Sequence, residues 1–147
     1  MKEIIIYKSA TGFAMKYATM IGEKLNIDVI TYKEALKKDL NVYGRIIYVE
    51  SVFGGMLLNY SNIRKNYNGE IVTLAVGYTE NLNMDYANTI KTNTNIEGKV
   101  FYARGVDLKK LKLIPRLIFK KVTKVNESAS FIDEKNVEGI ISYIRGE

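Results

Sequence analysis

Five short, mainly apolar runs recur along the chain, and segments with helical periodicity separate several of them. The runs cover residues 4–7, 28–32, 45–49, 71–76 and 99–103. Runs of this length and character are typical of strands that are buried on both faces of a sheet. Strands that alternate with helices need crossover connections, which place the strands parallel to one another. The sequence therefore predicts an α/β fold built on a parallel sheet.

Three helices are predicted between or after these strands. The first shows apolar residues at helical spacing at Ala14, Ala18, Ile21 and Leu25. The last begins after Asp133 as its N-cap and shows the same kind of spacing at Val137, Ile140, Ile141 and Ile144. Another helix is predicted from Leu58 to Tyr67, and the Asn68-Gly69 pair that follows is typical of a helix C-terminus.

Five strands in a chain of 147 residues match a doubly wound parallel sheet with strand order 2-1-3-4-5 and helices on both faces. No linker or repeat divides the chain, so we predict a single domain over residues 1–147, with a basic insertion at about 105–128. In such a sheet a ligand binds beyond the carboxyl ends of the strands, near the point where the strand order reverses. The candidate binding loops are therefore residues 8–14, 50–56 and 77–85.

The chain contains no cysteine and no histidine. This excludes disulfides, thiol catalysis, cysteine-ligated iron–sulfur clusters, Cys/His zinc sites and Ser-His-Asp triads. Hydrophobic residues at 47% and charged residues at 26% indicate a globular chain and argue against disorder. No stretch approaches the roughly 18 apolar residues of a membrane-spanning helix, and the first residues lack a signal-peptide pattern. A cytoplasmic location is the expectation.

One segment carries the whole excess of positive charge in a chain whose net charge is +6. From Arg104 to Lys124 there are eight basic residues and one acidic residue, whereas the rest of the chain has 14 basic and 15 acidic residues. An apolar stripe in this segment consists of Leu111, Ile114, Ile118 and Val122. Two interpretations stay open: a solvated basic helix that packs on its own domain, or a surface for an anionic membrane or an acidic partner.

The loop at residues 8–14 combines several groups that suit an anion. Ser9 and Thr11 offer hydroxyls, Gly12 allows close backbone approach, and the helix that follows presents free N–H groups. These features favour a phosphate site, although the loop lacks both the Walker ending and the dinucleotide glycine pattern. The structural alternative is that the hydroxyls only cap the helix and that the glycine only turns the chain.

Residues 4–25, with the sequence IIIYKSATGFAMKYATMIGEKL, resemble the opening of flavodoxins, an apolar strand followed by a Ser/Thr-rich loop. The resemblance implies a flavodoxin-like fold and an FMN cofactor. It assigns the FMN phosphate to the loop formed by Ser9, Ala10, Thr11, Gly12, Phe13 and Ala14. Phe13 stands where the family usually has a polar residue, and Ala14 replaces the last hydroxyl residue, so one phosphate contact is lost.

Residues 43–66, with the sequence YGRIIYVESVFGGMLLNYSNIRKN, are similar to the flavodoxin subgroup that contains the menaquinone-dependent protoporphyrinogen oxidases. This resemblance implies contacts with the flavin ring from two loops. The contacts fall on Ser51, Val52, Phe53 and Gly54 in the second loop and on Gly77 and Tyr78 in the third. The alternatives are that Phe53 covers the core and that Tyr78 is an ordinary surface tyrosine.

The family resemblance implies an FMN-binding redox protein that is either an electron carrier or an oxidoreductase for a quinone- or porphyrin-like substrate. A redox partner protein is implied for the carrier. The basic insertion suits peripheral contact with an anionic membrane at its inner face, through Lys109, Lys110, Lys112, Lys120 and Lys121. The alternative function is a flavin-free basic module that binds acidic proteins. Nucleic acid is not an expected partner because the chain has no recognition motif for it.

Overall fold

The computed structural model describes residues 1–10, 12–78, 85–105 and 134–147, except for the side chains of residues 134–136. Within these residues five parallel strands form one sheet in the order β2-β1-β3-β4-β5. The strands are β1 (Glu3–Lys8), β2 (Val29–Thr31), β3 (Arg45–Ser51), β4 (Glu70–Gly77) and β5 (Val100–Arg104). The predicted fold class and strand order are confirmed.

Helices cover both faces of the sheet, as the sequence predicts. Their bounds are α1 (Phe13–Leu25), α2 (Tyr32–Ala35), α3 (Tyr60–Arg64), α4 (Tyr86–Thr94) and α5 (Glu134–Arg145), with a 3-10 turn at Leu40–Val42. Helices α1 and α5 pack on one face, where Ile5, Ile47 and Leu74 point from the strands. Helices α2, α3 and α4 pack on the other face, against Ile4, Ile46 and Ile71. Each strand therefore contributes alternate residues to two separate cores.

The predicted first and last helices are confirmed, and their apolar faces are buried. Ala14, Ala18 and Ile21 of α1 are inaccessible to solvent, and all four apolar residues predicted to share one face of α5 are buried. Leu25, at the end of α1, is partly buried against the same core. These two helices show the strongest apolar periodicity, because each has a complete stripe to bury.

The predicted helix from Leu58 to Tyr67 is wrong in its extent. The helix that forms, α3, spans only Tyr60–Arg64, and the Asn68-Gly69 pair lies beyond it without capping it. Three hydrogen bonds explain this early end. The guanidinium of Arg64 donates to the carbonyl oxygens of Tyr67 and Gly69 at 2.6 and 2.7 Å, and the buried Tyr67 hydroxyl donates to the Tyr43 carbonyl.

Arg45 holds together the end of the sheet at which the strands begin. Its Nε donates to Glu3 Oε2 at 2.6 Å, and its terminal nitrogens lie 2.8 Å from the Ile144 carbonyl oxygen and 3.7 Å from Glu70. These contacts bind the last turn of α5 to the first residues of β1, β3 and β4. The amino end of the sheet is thus fixed by ion pairs, and the carboxyl end carries the candidate loops.

Several predictions concern residues that lie outside the described part of the chain. They are Thr11, most of the third loop (residues 79–84), the N-cap Asp133 and the basic segment with its five named lysines. The single domain over residues 1–147 also stays a prediction.

Candidate functional site

The carboxyl ends of β1, β3 and β4 bring the candidate loops together. The N–H of Ala10 in the first loop donates to Ser51 Oγ in the second loop at 3.1 Å. The N–H of Val52 donates to the Val76 carbonyl oxygen at 2.7 Å, which extends the pairing of β3 with β4 beyond their strands. Those predicted site residues that the structure describes thus lie at the carboxyl end of the sheet, and hydrogen bonds connect one loop to the next.

The first loop ends in a glycine whose backbone only glycine adopts readily. Gly12 has φ of 95° and is the N-cap of α1, and its N–H donates to Ser9 Oγ at 2.9 Å. The first turn of α1 has no acidic side chain. The positive end of the helix dipole is therefore not neutralised by its own helix, which suits an anion at this place.

Phe13 and Ala14 follow this glycine, and their side chains point away from the loop. They are 1% and 0% exposed and pack between α1 and the sheet. A Cβ built on Gly105 would lie only 3.0 Å from Phe13 Cβ, so the end of β5 packs tightly on this ring. Both residues can therefore offer a ligand only their backbone N–H groups. The spacing of Phe13, Tyr17 and Ile21 at four residues is the sequence signal for this burial.

The second loop is a tight hairpin that exposes an aromatic ring. Phe53 and Met56 exchange two backbone hydrogen bonds of 2.9 and 3.1 Å, and the two glycines between them have φ of 61° and 76°. Positive φ at both central positions is the geometry of a type I′ turn. Phe53 stands at the base of this turn with 72% of its surface exposed. The alternative in which Phe53 covers the core does not match this exposure.

Helix α4 supports the hairpin from the side. Asn93 Nδ2 donates to the Gly55 carbonyl oxygen at 3.2 Å, and the Leu57 N–H donates to Thr94 Oγ1 at 3.0 Å. Helix α4 is not predicted from the sequence, because only Ile90 among its residues is buried and no apolar stripe marks it. Its function in this part of the fold is to hold the second loop.

A buried carboxylate closes the base of the same loop. Glu50 is 2% exposed and accepts hydrogen bonds from the Tyr48 hydroxyl and from the backbone and side-chain nitrogens of Asn59, the latter at 3.2 Å. Burial raises the pKa of Glu50, while these hydrogen bonds act in the opposite direction. Burial also raises the pKa of Tyr48. From the sequence, Glu50 is expected only at the start of a loop, since a glutamate after a strand usually reaches solvent.

The third candidate loop begins where β4 and β5 meet. A Cβ at Gly77 would lie 2.7 Å from the Tyr102 hydroxyl, so any side chain at this position would have to displace the Tyr102 ring. The Tyr78 carbonyl oxygen accepts from Arg104 Nε at 2.7 Å, and the Gly105 N–H donates to the Gly77 carbonyl oxygen at the same distance. The backbone at Gly77 and Tyr78 is thus fixed at the edge beside the second loop.

The described residues lack two other kinds of feature. None of their helices is both long and apolar enough to cross a membrane. None of their acidic side chains form a group of three or more that could hold a metal ion. The site therefore consists of backbone donors, hydroxyls, an exposed aromatic ring and one buried carboxylate.

Comparison with known proteins identifies the family. No curated protein sequence matches this chain significantly. A crystal structure of a candidate flavoprotein from Bacteroides uniformis aligns with a TM-score of 0.53 at 15% identity, covering 84% of this chain and 97% of that chain. A flavodoxin from the domain Archaea aligns with a TM-score of 0.45 at 19% identity, covering 86% and 100%. Residues 4–133 match the family model of the flavodoxin domain, and the chain therefore belongs to the flavodoxin domain family.

Proposed function

We propose that this protein binds FMN at the carboxyl edge of its sheet and functions in electron transfer. One observation carries the proposal: the anion-type loop before α1 and the exposed Phe53 ring lie on adjacent loops that a hydrogen bond joins. A phosphate and an aromatic ring system at the two ends of one ligand would match these two features. Membership in the flavodoxin domain family supports the same ligand class.

The phosphate would be held by the first loop. Ser9 and Gly12 already share a hydrogen bond, so the loop has its turn before any ligand is present. The Gly12 N–H already donates to Ser9 Oγ, so the donors available there are the Ser9 hydroxyl and the backbone N–H groups of the first turn of α1, Phe13 and Ala14 among them. Backbone donors at a helix N-terminus are well suited to a phosphate dianion. The family resemblance adds the Thr11 hydroxyl to this set.

The ring would be held by the second and third loops. Phe53 offers an exposed flat face for offset stacking, and a Cβ built on neighbouring Gly54 would meet no atom within 4 Å, so the approach is open. Backbone groups near Ser51, Gly77 and Tyr78 can bond the polar edge of a flavin. The residues present therefore fit the group.

The bound flavin would supply the ability to accept and donate electrons. The protein's own residues bind, orient and cover it. The carrier function and the oxidoreductase function are both compatible with this division of work. A quinone- or porphyrin-like substrate, a redox partner protein and a cytoplasmic location with peripheral membrane contact are the finer parts of the proposal, and they rest on the sequence resemblance and the basic segment.

The test is the visible spectrum of the purified protein, followed by titration with FMN and with riboflavin. We expect a yellow protein, or one that turns yellow on reconstitution, with FMN released on denaturation and bound more tightly than riboflavin. A colourless protein that takes up neither flavin would overturn the proposal and favour the flavin-free interaction module.

A further inference from the structure

The two ends of the second loop are tied together by side chains. Glu50 precedes the loop at the end of β3, and Asn59 follows it as the N-cap of α3. Three contacts of 3.2 Å join them: the Asn59 N–H reaches both carboxylate oxygens, and Asn59 Nδ2 reaches Oε2. The hairpin with Phe53 lies entirely between these two residues, so its orientation depends on this junction.

Tyr48, two residues before Glu50 on β3, holds the carboxylate in place. Its hydroxyl donates to Glu50 Oε1, and its ring packs against Tyr60, the first residue of α3, with centroids 6.1 Å apart. The carboxylate therefore cannot rotate freely toward solvent. Every polar contact that it makes among the described residues is directed at Tyr48 or at the far end of the loop.

Stability alone does not explain why a carboxylate is buried at this position. A buried carboxylate needs compensation for its lost hydration, and the ion pairs of the described residues are at Arg45 instead. Lys8 is the register partner of Glu50 on β1, but its ammonium lies over the Tyr32 ring, 5.5 Å from the centroid. The tyrosine hydroxyls in the core of this face belong to Tyr32, Tyr43, Tyr48, Tyr60, Tyr67 and Tyr102. An apolar residue would be a simpler way to fill this place, so the carboxylate is better explained by the geometry it imposes.

We infer that Glu50 is a positioning residue. Its hydrogen bonds to Asn59, here called the clasp, fix the orientation of the hairpin so that Phe53 meets the ring of the bound ligand. The ligand is the flavin of the proposed function, on which this inference rests. The clasp itself is a property of the chain without ligand. It acts on the hairpin that carries Phe53.

The hydrogen-bond pattern allows an exchange of the two groups. In Asn59→Asp two carboxylates face each other, so this variant breaks the clasp. In Glu50→Gln the Asn59 amide can turn over so that its Oδ1 accepts from Gln Nε2, and this variant keeps the hydrogen bonds without the charge. In the double variant, Gln Oε1 accepts from Tyr48 and from the backbone N–H of residue 59, while Gln Nε2 donates to the new aspartate. The double variant should therefore restore what Asn59→Asp loses, which a general loss of stability would not do.

Two measurements test the clasp. The first is the dissociation constant for riboflavin, which lacks the phosphate. We expect it to rise about tenfold in Asn59→Asp, to recover in the double variant and to stay near the wild-type value in Glu50→Gln. The second is amide hydrogen exchange at Phe53 and Met56 without ligand, which should become faster and recover in the same pattern. Glu70→Gln at the opposite edge is the matched control, with both measurements unchanged.

The outcomes separate the clasp from the proposed function. If the wild-type protein binds neither flavin, the proposed function fails, and the exchange rates at Phe53 and Met56 alone decide whether the clasp exists. If flavin binds but Asn59→Asp leaves riboflavin affinity unchanged, the positioning role is overturned. Exchange that fails to recover in the double variant overturns the clasp as well. If Asn59→Asp does not fold, Glu50→Met, which removes both carboxylate oxygens, should show the same weaker riboflavin binding and faster exchange, and unchanged values in it overturn the clasp.

Discussion

The hairpin turn gives a prediction in which backbone geometry can be isolated from packing. Gly54 has φ of 61°, and a Cβ built there would meet no atom within 4 Å. A substitution at Gly54 therefore changes only the preference for the left-handed region. Valine in that region costs about 1–2 kcal/mol, whereas asparagine enters it readily. We expect Gly54→Val to lower the ratio of closed to open hairpin by roughly five- to thirtyfold relative to Gly54→Asn.

Amide hydrogen exchange at Phe53 and Met56 measures this ratio directly, because these two N–H groups form the hairpin bonds. The valine variant should exchange faster than the asparagine variant by the same factor, and its riboflavin affinity should fall in parallel. Gly146→Val is the control, since Gly146 also has positive φ and open space but lies at the far end of α5. Equal exchange in the valine and asparagine variants would refute the reasoning that the turn limits the position of Phe53.

Three further predictions concern the phosphate loop, the buried carboxylate and the basic segment. Gly12→Val should abolish FMN binding in a protein that still folds, because Gly12 has φ of 95° and a branched side chain would block the approach of a phosphate. Unchanged FMN affinity in a titration of this variant would contradict the prediction. Burial raises the pKa of Glu50, so its contribution to stability is full below its usual value of 4.5 and is lost as pH rises through the folded value. The free energy of unfolding of Glu50→Gln relative to wild type should therefore increase with pH above about 4.5, and a pH-independent difference in urea titrations would count against it. Anionic vesicles should sediment the protein at low salt, with about 1 kcal/mol from each engaged lysine, and neutral vesicles should not. Binding that survives replacement of the five lysines by glutamine would exclude their role; these are Lys109, Lys110, Lys112, Lys120 and Lys121.

The sheet could be predicted because its signal is local. Each central strand is a run of apolar residues bounded by polar ones. In a chain of this length, such a run can adopt few structures other than a buried strand. The order 2-1-3-4-5 then followed from the doubly wound pattern with five strands. Helices α1 and α5 were equally clear, since a helix that covers one face of a sheet needs a complete apolar stripe.

The short helices could not be predicted in the same way. Helix α2 depends on a capping box, in which Thr31 and Glu34 bond each other's backbone and end β2 early. Helix α3 ends where Arg64 reaches forward to two carbonyl groups, and α4 buries one isoleucine. Such contacts join polar side chains to particular backbone atoms, and residue periodicity carries no record of them.

The site shows the same division between local and distant contacts. The resemblance to flavodoxins named Ser51 and Phe53 from their place after β3, and the structure shows one of them bonded to Ala10 and the other exposed on a hairpin. It did not name Glu50, because a flavin motif records the residues that touch the ligand. Glu50, which positions Phe53, is buried and hydrogen-bonded within its own chain, and it is a carboxylate among aromatic and apolar side chains. A search for functional residues in a fold like this one should therefore follow the hydrogen bonds of each ligand loop back to the buried polar group at its base.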